Sequence, residues 1–217
     1  MYQQFIDLFY SNRNNEKAEK MAAYMKDNFS FLGIQKNNRA QLQKDFIKLA
    51  KKQRIIDWDL VFLLWDLPER EFQYLAMDYL VALKNNLQKA DISKIEKLRI
   101  QKSWWDSVDL LASHLIGTLC TRYPELVGRK IINWAEDDNI WLVRTAVLFQ
   151  LKYKKDTNKE LLSYIINENS CSKEFFITKA IGWALREYSK TSPDWVRAFL
   201  ECNRLQPLSV REASKYL

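Results

Sequence analysis

The run Lys102-Ser-Trp-Trp-Asp-Ser-Val-Asp109 holds the side chains best suited to chemistry. Trp105 and Asp109 stand four residues apart, so on a helix they share one face. Ser103, with Asp106 three residues on, predicts a helix start of the capping-box kind. Asp109 has no basic residue three or four positions away, where Asp106, Trp105, Ala112 and Ser113 sit. A carboxylate beside an indole with no local counter-ion does little for helix stability. The pattern points to a positive group that arrives from outside.

Two further clusters join it. Asn139-Ile-Trp-Leu-Val-Arg144 opens another helix, and Arg144 again lacks an acid at helical spacing. It is solvated, salt-bridged to a neighbouring repeat, or available to an anion. Lys152, Lys154 and Lys155 crowd the end of this helix, where cations also complement the helix dipole. Over residues 172–188, Lys179, Trp183 and Arg186 follow i, i+4, i+7 spacing and share a stripe with Phe176. Interleaved aromatic and basic side chains suit a sugar-phosphate backbone. Core packing is the competing account, favoured for Phe175 and Phe176 and evenly balanced for Trp183. Tyr24, spaced with Met21 and Met25 on a helix expected over 16–28, reads by itself as packing.

Other chemistries lack their residues. The single histidine, His114, has no cysteine or second histidine near it, which argues against a zinc or other transition-metal site. It falls among Leu111, Leu115 and Ile116, as a buried or half-buried satisfied side chain would. Phosphate-cradling and dinucleotide glycine motifs are absent, as is a nucleophile elbow. Cys120, Cys171 and Cys202 are widely spaced and odd in number, which fits reduced thiols in a cytoplasmic protein. No apolar run approaches membrane-spanning length, and the start Met1-Tyr2-Gln3-Gln4 is unlike a signal peptide. The net charge of +7 over 217 residues favours an anionic partner, though only modestly. Chemistry here must run on carboxylates, arginines and aromatic faces.

The elements that position these residues are helices. Only four glycines and four prolines interrupt the chain, which is 47% hydrophobic. Apolar residues recur at helical spacing, as in Leu60, Leu63, Leu64 and Leu67, or Phe72, Leu75, Ala76, Tyr79 and Leu83. Breaks at Asp57, Pro68, Asp91, Ser103, Pro124, Asn139, Ser172 and Ser192-Pro193 predict twelve to fourteen helices with short joints. Starts near Glu69, Ser103, Asn139 and Ser172 are 34, 36 and 33 residues apart, the length of a helical-hairpin repeat. Such hairpins stack into an all-α solenoid with a continuous core and a concave face. An irregular helical bundle is the alternative. One domain over 1–217 is expected.

Taken together, Lys102–Asp109, Asn139–Arg144 with Phe149-Gln-Leu-Lys-Tyr153, and Ser172–Tyr188 resemble the AlkD-like family of DNA glycosylases. Phe31-Leu-Gly-Ile-Gln35 and Trp65-Asp-Leu-Pro-Glu-Arg-Glu-Phe72 are similar to that family too, so the likeness spans nearly the whole chain. The resemblance implies a HEAT-like repeat superhelix with a concave DNA-binding face. It implies excision of cationic N3- and N7-alkylpurines from double-stranded DNA, without cofactor, metal or membrane, by a monomer. Asp109 is then the catalytic aspartate, Trp105 and Trp183 are the cleft tryptophans, and Arg144 contacts DNA. Tyr24 closes the cleft, while Lys152, Lys179, Arg186 and Gln35 contact the nucleic acid. The end at Leu217 is earlier than the family pattern, so a short tail is expected to be missing. The rival expectations are a non-catalytic repeat protein that binds distorted DNA and a protein-interaction scaffold.

Overall fold

The computed structural model describes residues 2–217, and every regular element among them is helical. The chain divides into two compact units, Met1–Leu87 and Gln88–Leu217.

The N-terminal unit holds α1 (Tyr2–Ser11), α2 (Asn15–Tyr24), α3 (Lys36–Leu42), α4 (Lys44–Gln53), α5 (Trp58–Asp66) and α6 (Arg70–Ala82). Its core forms where the apolar stripes meet: Phe9 stacks on Phe72 with ring centroids 5.6 Å apart, beside buried Leu64, Trp65 and Leu75. Asp57 caps α5 by accepting from the Leu60 N–H, as its position before the apolar run required. Helix α2 stops short of the expected 16–28 span. Lys26 and Asp27 both take left-handed backbone, at φ 58° and 56°, which ends the helix.

Two of the family-like blocks prove to be halves of one construction. The Glu71 carboxylate, fully buried, accepts the backbone N–H groups of Leu32, Gly33 and Ile34 at 2.8–3.0 Å. Gly33 makes this possible at φ +85°, and a Cβ there would lie 2.1 Å from the Asn14 carbonyl oxygen. The Arg70 N–H donates to the Ser30 carbonyl alongside. Phe31–Gln35 is thus a loop pinned by the block that begins at Trp65.

The C-terminal unit holds α7 (Asp91–Ile100), α8 (Trp105–Leu110), α9 (Gly117–Arg122), α10 (Ile132–Ala135), α11 (Ile140–Leu148), α12 (Lys159–Glu168), α13 (Phe175–Ser189), α14 (Pro193–Cys202) and α15 (Pro207–Ala213). A π-helical stretch, Leu111–Ile116, joins α8 and α9 into one continuous helix. Hydrogen bonds between hairpins recur at about one repeat length. Lys130 reaches Glu96, 34 residues away, Tyr153 reaches Gly117 over 36, and Asn169 reaches Ala135 over 34. Stacked helical hairpins produce this regularity, because each packs on its neighbour in the same register. Among the described residues no helix is long and apolar enough to cross a membrane.

Helices α13 and α15 approach closely because Gly182 lacks a side chain. A Cβ there would meet the Ser209 carbonyl oxygen at 2.8 Å and the Glu212 Cβ at 2.6 Å. The Ser209 hydroxyl donates to the Thr178 carbonyl in the same seam. Gly182→Ala is therefore expected to lose about 1–3 kcal/mol of stability through overpacking, read as a lowered thermal midpoint. An unchanged midpoint would show that the seam yields freely.

Candidate active site

The helix that carries Asp109 starts one residue later than its sequence suggested. Trp104, in extended backbone, occupies the N-cap position and makes no side-chain cap. Lys102 has left-handed backbone at φ 50°, and the Ser103 hydroxyl donates to the Arg99 carbonyl. Ser103 bonds back to α7 and lies one residue before the N-cap of α8. Arg99 itself is fully buried, its guanidinium 3.8 Å from the centre of the Trp134 ring, and burial lowers its pKa to about 9 despite Glu96 nearby. The joint is anchored on both sides. Ser172 also falls outside its helix: α13 begins at Phe175 with Glu174 at the N-cap, and the Ser172 hydroxyl accepts from the Glu174 N–H.

The central finding is the partner of Asp109. Arg144, from α11, donates Nε to Oδ1 at 2.6 Å and Nη2 to Oδ2 at 2.8 Å, a bidentate pair. Its Nη1 donates to the Phe176 carbonyl at the start of α13. The Asp109 side chain is 12% exposed and that of Arg144 5%. The sequence reading needs correction at Asp109, because the positive group that meets it comes from within the chain. For Arg144 the salt bridge to a neighbouring repeat, one of the three readings left open, is the one formed. The fork fastens three helices at one point. Burial pushes the Asp109 carboxyl above its ordinary range, and the hydrogen bonds and charge of Arg144 only partly offset this. The π-helical stretch begins two residues later, and there the Asp109 carbonyl accepts from the Ser113 hydroxyl.

Aromatic rings crowd the same place. Trp104 packs on Trp141 and Phe176 with centroids 5.8 and 5.2 Å apart, and Trp141 lies 4.9 Å from Phe176. The Arg144 guanidinium is 5.9 Å from the Phe176 ring. Trp104 Nε1 is buried with no hydrogen-bond partner among the described residues. Sequence reasoning singled out Trp105, which is half-buried, and passed over Trp104 and Trp141. Their signal was position alone: each sits in the first residues of a helix that carries one member of the ion pair. Phe176 is part of the packed trio, whereas Phe175 is 57% exposed, contrary to its expected place in the core.

The remaining candidates divide. Trp183, on α13 seven residues after Phe176, is half-buried. Lys179 and Arg186 do not meet the Asp109 pair; both bind Glu212 at 2.7 Å. Lys152 is exposed after the end of α11. His114 is half-buried within the π-helical stretch. In the N-terminal unit Gln35 is exposed at the N-cap of α3. Tyr24 is 71% exposed, so packing does not account for it. Among the described residues no cluster of three or more His, Cys, Asp or Glu side chains could hold a metal.

A solved structure described as a predicted DNA alkylation repair enzyme from Enterococcus faecalis is 35% identical, with a TM-score of 0.87, over 95% of this chain and 97% of that one. Two structures from Streptococcus mutans are alike in fold. The protein smu.31 of strain UA159 is 21% identical over 83% of this chain and 98% of its own, at a TM-score of 0.59. AlkD2 is 22% identical over 84% and 98%, at 0.56. None of the curated proteins compared with the chain matches it. A family model described as DNA alkylation repair enzyme matches residues 5–217. With a match of that extent, and a third of its residues shared with the enterococcal protein, the chain belongs to the DNA alkylation repair enzyme family.

Proposed function

We propose that this family member is a monofunctional DNA glycosylase that hydrolyses the N-glycosidic bond of N3- and N7-alkylpurines in duplex DNA. Alkylation at either nitrogen leaves the purine cationic, so the base departs without needing an acid. What remains for the protein is to stabilise positive charge on the deoxyribose as the bond stretches. A carboxylate at the anomeric carbon does this, as in glycosidases generally. In this reading Asp109 supplies the charge and aligns the attacking water. Trp105 and Trp183 offer π faces to the cationic sugar, each worth about 0.5–2 kcal/mol when desolvated.

The observation that carries the reading is the buried, forked Asp109–Arg144 pair beside the Trp104, Trp141 and Phe176 rings. A carboxylate has about four lone-pair sites, and the fork occupies two. Arg144 thus favours the ionised form against the effect of burial and fixes its direction, while leaving acceptor capacity. On substrate binding a flanking phosphate competes for the same guanidinium, which shifts charge from the pair towards the sugar. Lys152, Lys179, Arg186, Tyr24 and Gln35 are the proposed contacts to the rest of the duplex. The enzyme acts as a cytoplasmic monomer, and the whole chain works as one repeat domain.

One observation favours a second reading. A carboxylate already neutralised by its own chain serves as a structural bolt, and the protein then binds distorted DNA without cutting it. Release of 7-methylguanine and 3-methyladenine from methylated duplex separates the two. The glycosylase reading predicts release of these cationic bases and none of uracil, a neutral base whose departure needs a proton donor. Its pH dependence follows from the raised Asp109 pKa. The ionised form dominates above that pKa, so release falls as acid protonates the group, over a range higher than that of an ordinary aspartate near pH 3.9. Intact methylated DNA after incubation at neutral pH would leave only the binding role.

A further inference from the structure

Glu212 on α15 is buried, with 4% of its side chain exposed, and three cations converge on it. Lys179 Nζ lies 2.7 Å from Oε1 and Arg186 Nη1 2.7 Å from Oε2; Lys215 Nζ is 2.9 Å from both oxygens. Lys179 and Arg186 come from α13 and Lys215 follows α15, so the close seam at Gly182 assembles the cluster. The three side chains are themselves 39%, 23% and 47% exposed.

The stoichiometry is the informative part. A buried carboxylate needs one counter-ion, and here it has three. Two positive charges are left uncompensated within one hydrogen-bonded cluster, which costs mutual repulsion unless an anion joins. The carboxylate is buried and the cations are partly exposed, so the part of this cluster that meets solvent is its positive members. The concentration of cations also holds the Glu212 carboxyl ionised, with its pKa lowered to about 2. A cluster meant only to satisfy Glu212 would not need its third member.

We propose that Glu212 is a positioning residue that arrays Lys179, Arg186 and Lys215 as a clamp for a phosphodiester of the DNA backbone. The proposal rests on the reading that duplex DNA is the substrate, and it adds Glu212 and Lys215 to the contacts. Arg186 supplies directional donors, while the two lysines act as point charges. Glu212 fixes their spacing, so the side chains are not ordered anew when the phosphate arrives.

The test is duplex-DNA affinity as a function of salt for the full chain and its variants, with thermal unfolding alongside. Each phosphate contact contributes close to one unit to the slope of log affinity against log salt. Lys215→Ala is expected to lower that slope by about one with the fold intact, and Lys215→Arg to restore it. Glu212→Gln gives a test of sign. If the carboxylate only cancels positive charge, its removal tightens binding; if it positions the cations, its removal weakens binding although the net charge has risen. Weaker binding by Glu212→Gln in the folded protein supports the clamp. Tighter binding, or an unchanged slope in Lys215→Ala, overturns it while the substrate reading stands. Should Glu212→Gln fail to fold, the Lys215 slope decides. A wild-type chain with no salt-sensitive DNA affinity would remove the substrate reading and the clamp together.

Discussion

Asp109→Asn is expected to lower the rate of 7-methylguanine release by about 10²–10³-fold, the usual effect of deleting one well-placed electrostatic stabiliser. The substitution keeps the shape and removes the charge. Asparagine retains a carbonyl to accept from Arg144, but its amide turns a donor towards the second guanidinium nitrogen. Some stability is lost as well, because that nitrogen goes unpaired in a buried place. The kinetic and structural effects are separable by assay below the unfolding range. A folded Asp109→Asn protein that cuts at the wild-type rate would reduce the aspartate to an anchor for α8.

Arg144→Ala is expected to do more damage to the fold. It strands the Asp109 carboxylate, 12% exposed, beside aromatic rings, and it strips the Phe176 carbonyl of its donor. Breaking a buried pair from one side costs about 3–5 kcal/mol, since the surviving charge is left desolvated. The raised pKa of Asp109 points the same way: without its guanidinium the carboxyl takes up a proton more readily still, and the acid limb of release moves to higher pH. Arg144→Lys keeps the charge but loses the fork and is expected to fall between. The double variant Asp109→Asn, Arg144→Met removes both charges and should recover much of the stability, though not the activity. Denaturant unfolding of wild type, Asp109→Asn, Arg144→Met and the double variant measures this coupling, and strictly additive losses would show that the two residues do not act as a pair.

Much of the helical order was legible because it is local. Asp57 and Asn139 cap their helices through their own side chains, as their place before apolar runs implied. Pro193 sits in the first turn of α14, where its missing N–H costs nothing. Ser103 and Ser172 failed as helix starts; in the first case the hydroxyl donates back to the Arg99 carbonyl at the end of the preceding helix. The deeper miss concerns Asp109 and Arg144. Each was noticed because it lacked a counter-ion within four residues, and each turned out to supply the other's across 35. That separation is one repeat length. A search along a single helix face cannot see it, whereas shifting the sequence by one repeat brings the two residues into register. Lys179 and Arg186 eluded local reading for the same reason, since Glu212 lies one helix pair further on. The likeness of the blocks at Phe31–Gln35 and Trp65–Phe72 has a structural side that local reading missed, because one clasps the other through Glu71.

The claim beneath the whole account is that a fixed negative charge at residue 109 meets a sugar that turns positive. Its most direct test needs no turnover. Duplexes carrying a cationic pyrrolidine in place of the sugar, or a neutral tetrahydrofuran of the same shape, are titrated against wild-type and Asp109→Asn protein. Wild type is expected to prefer the cation by tenfold or more, about 1.4 kcal/mol, and the variant to lose that preference. Equal affinity of the wild-type protein for the two duplexes would contradict it.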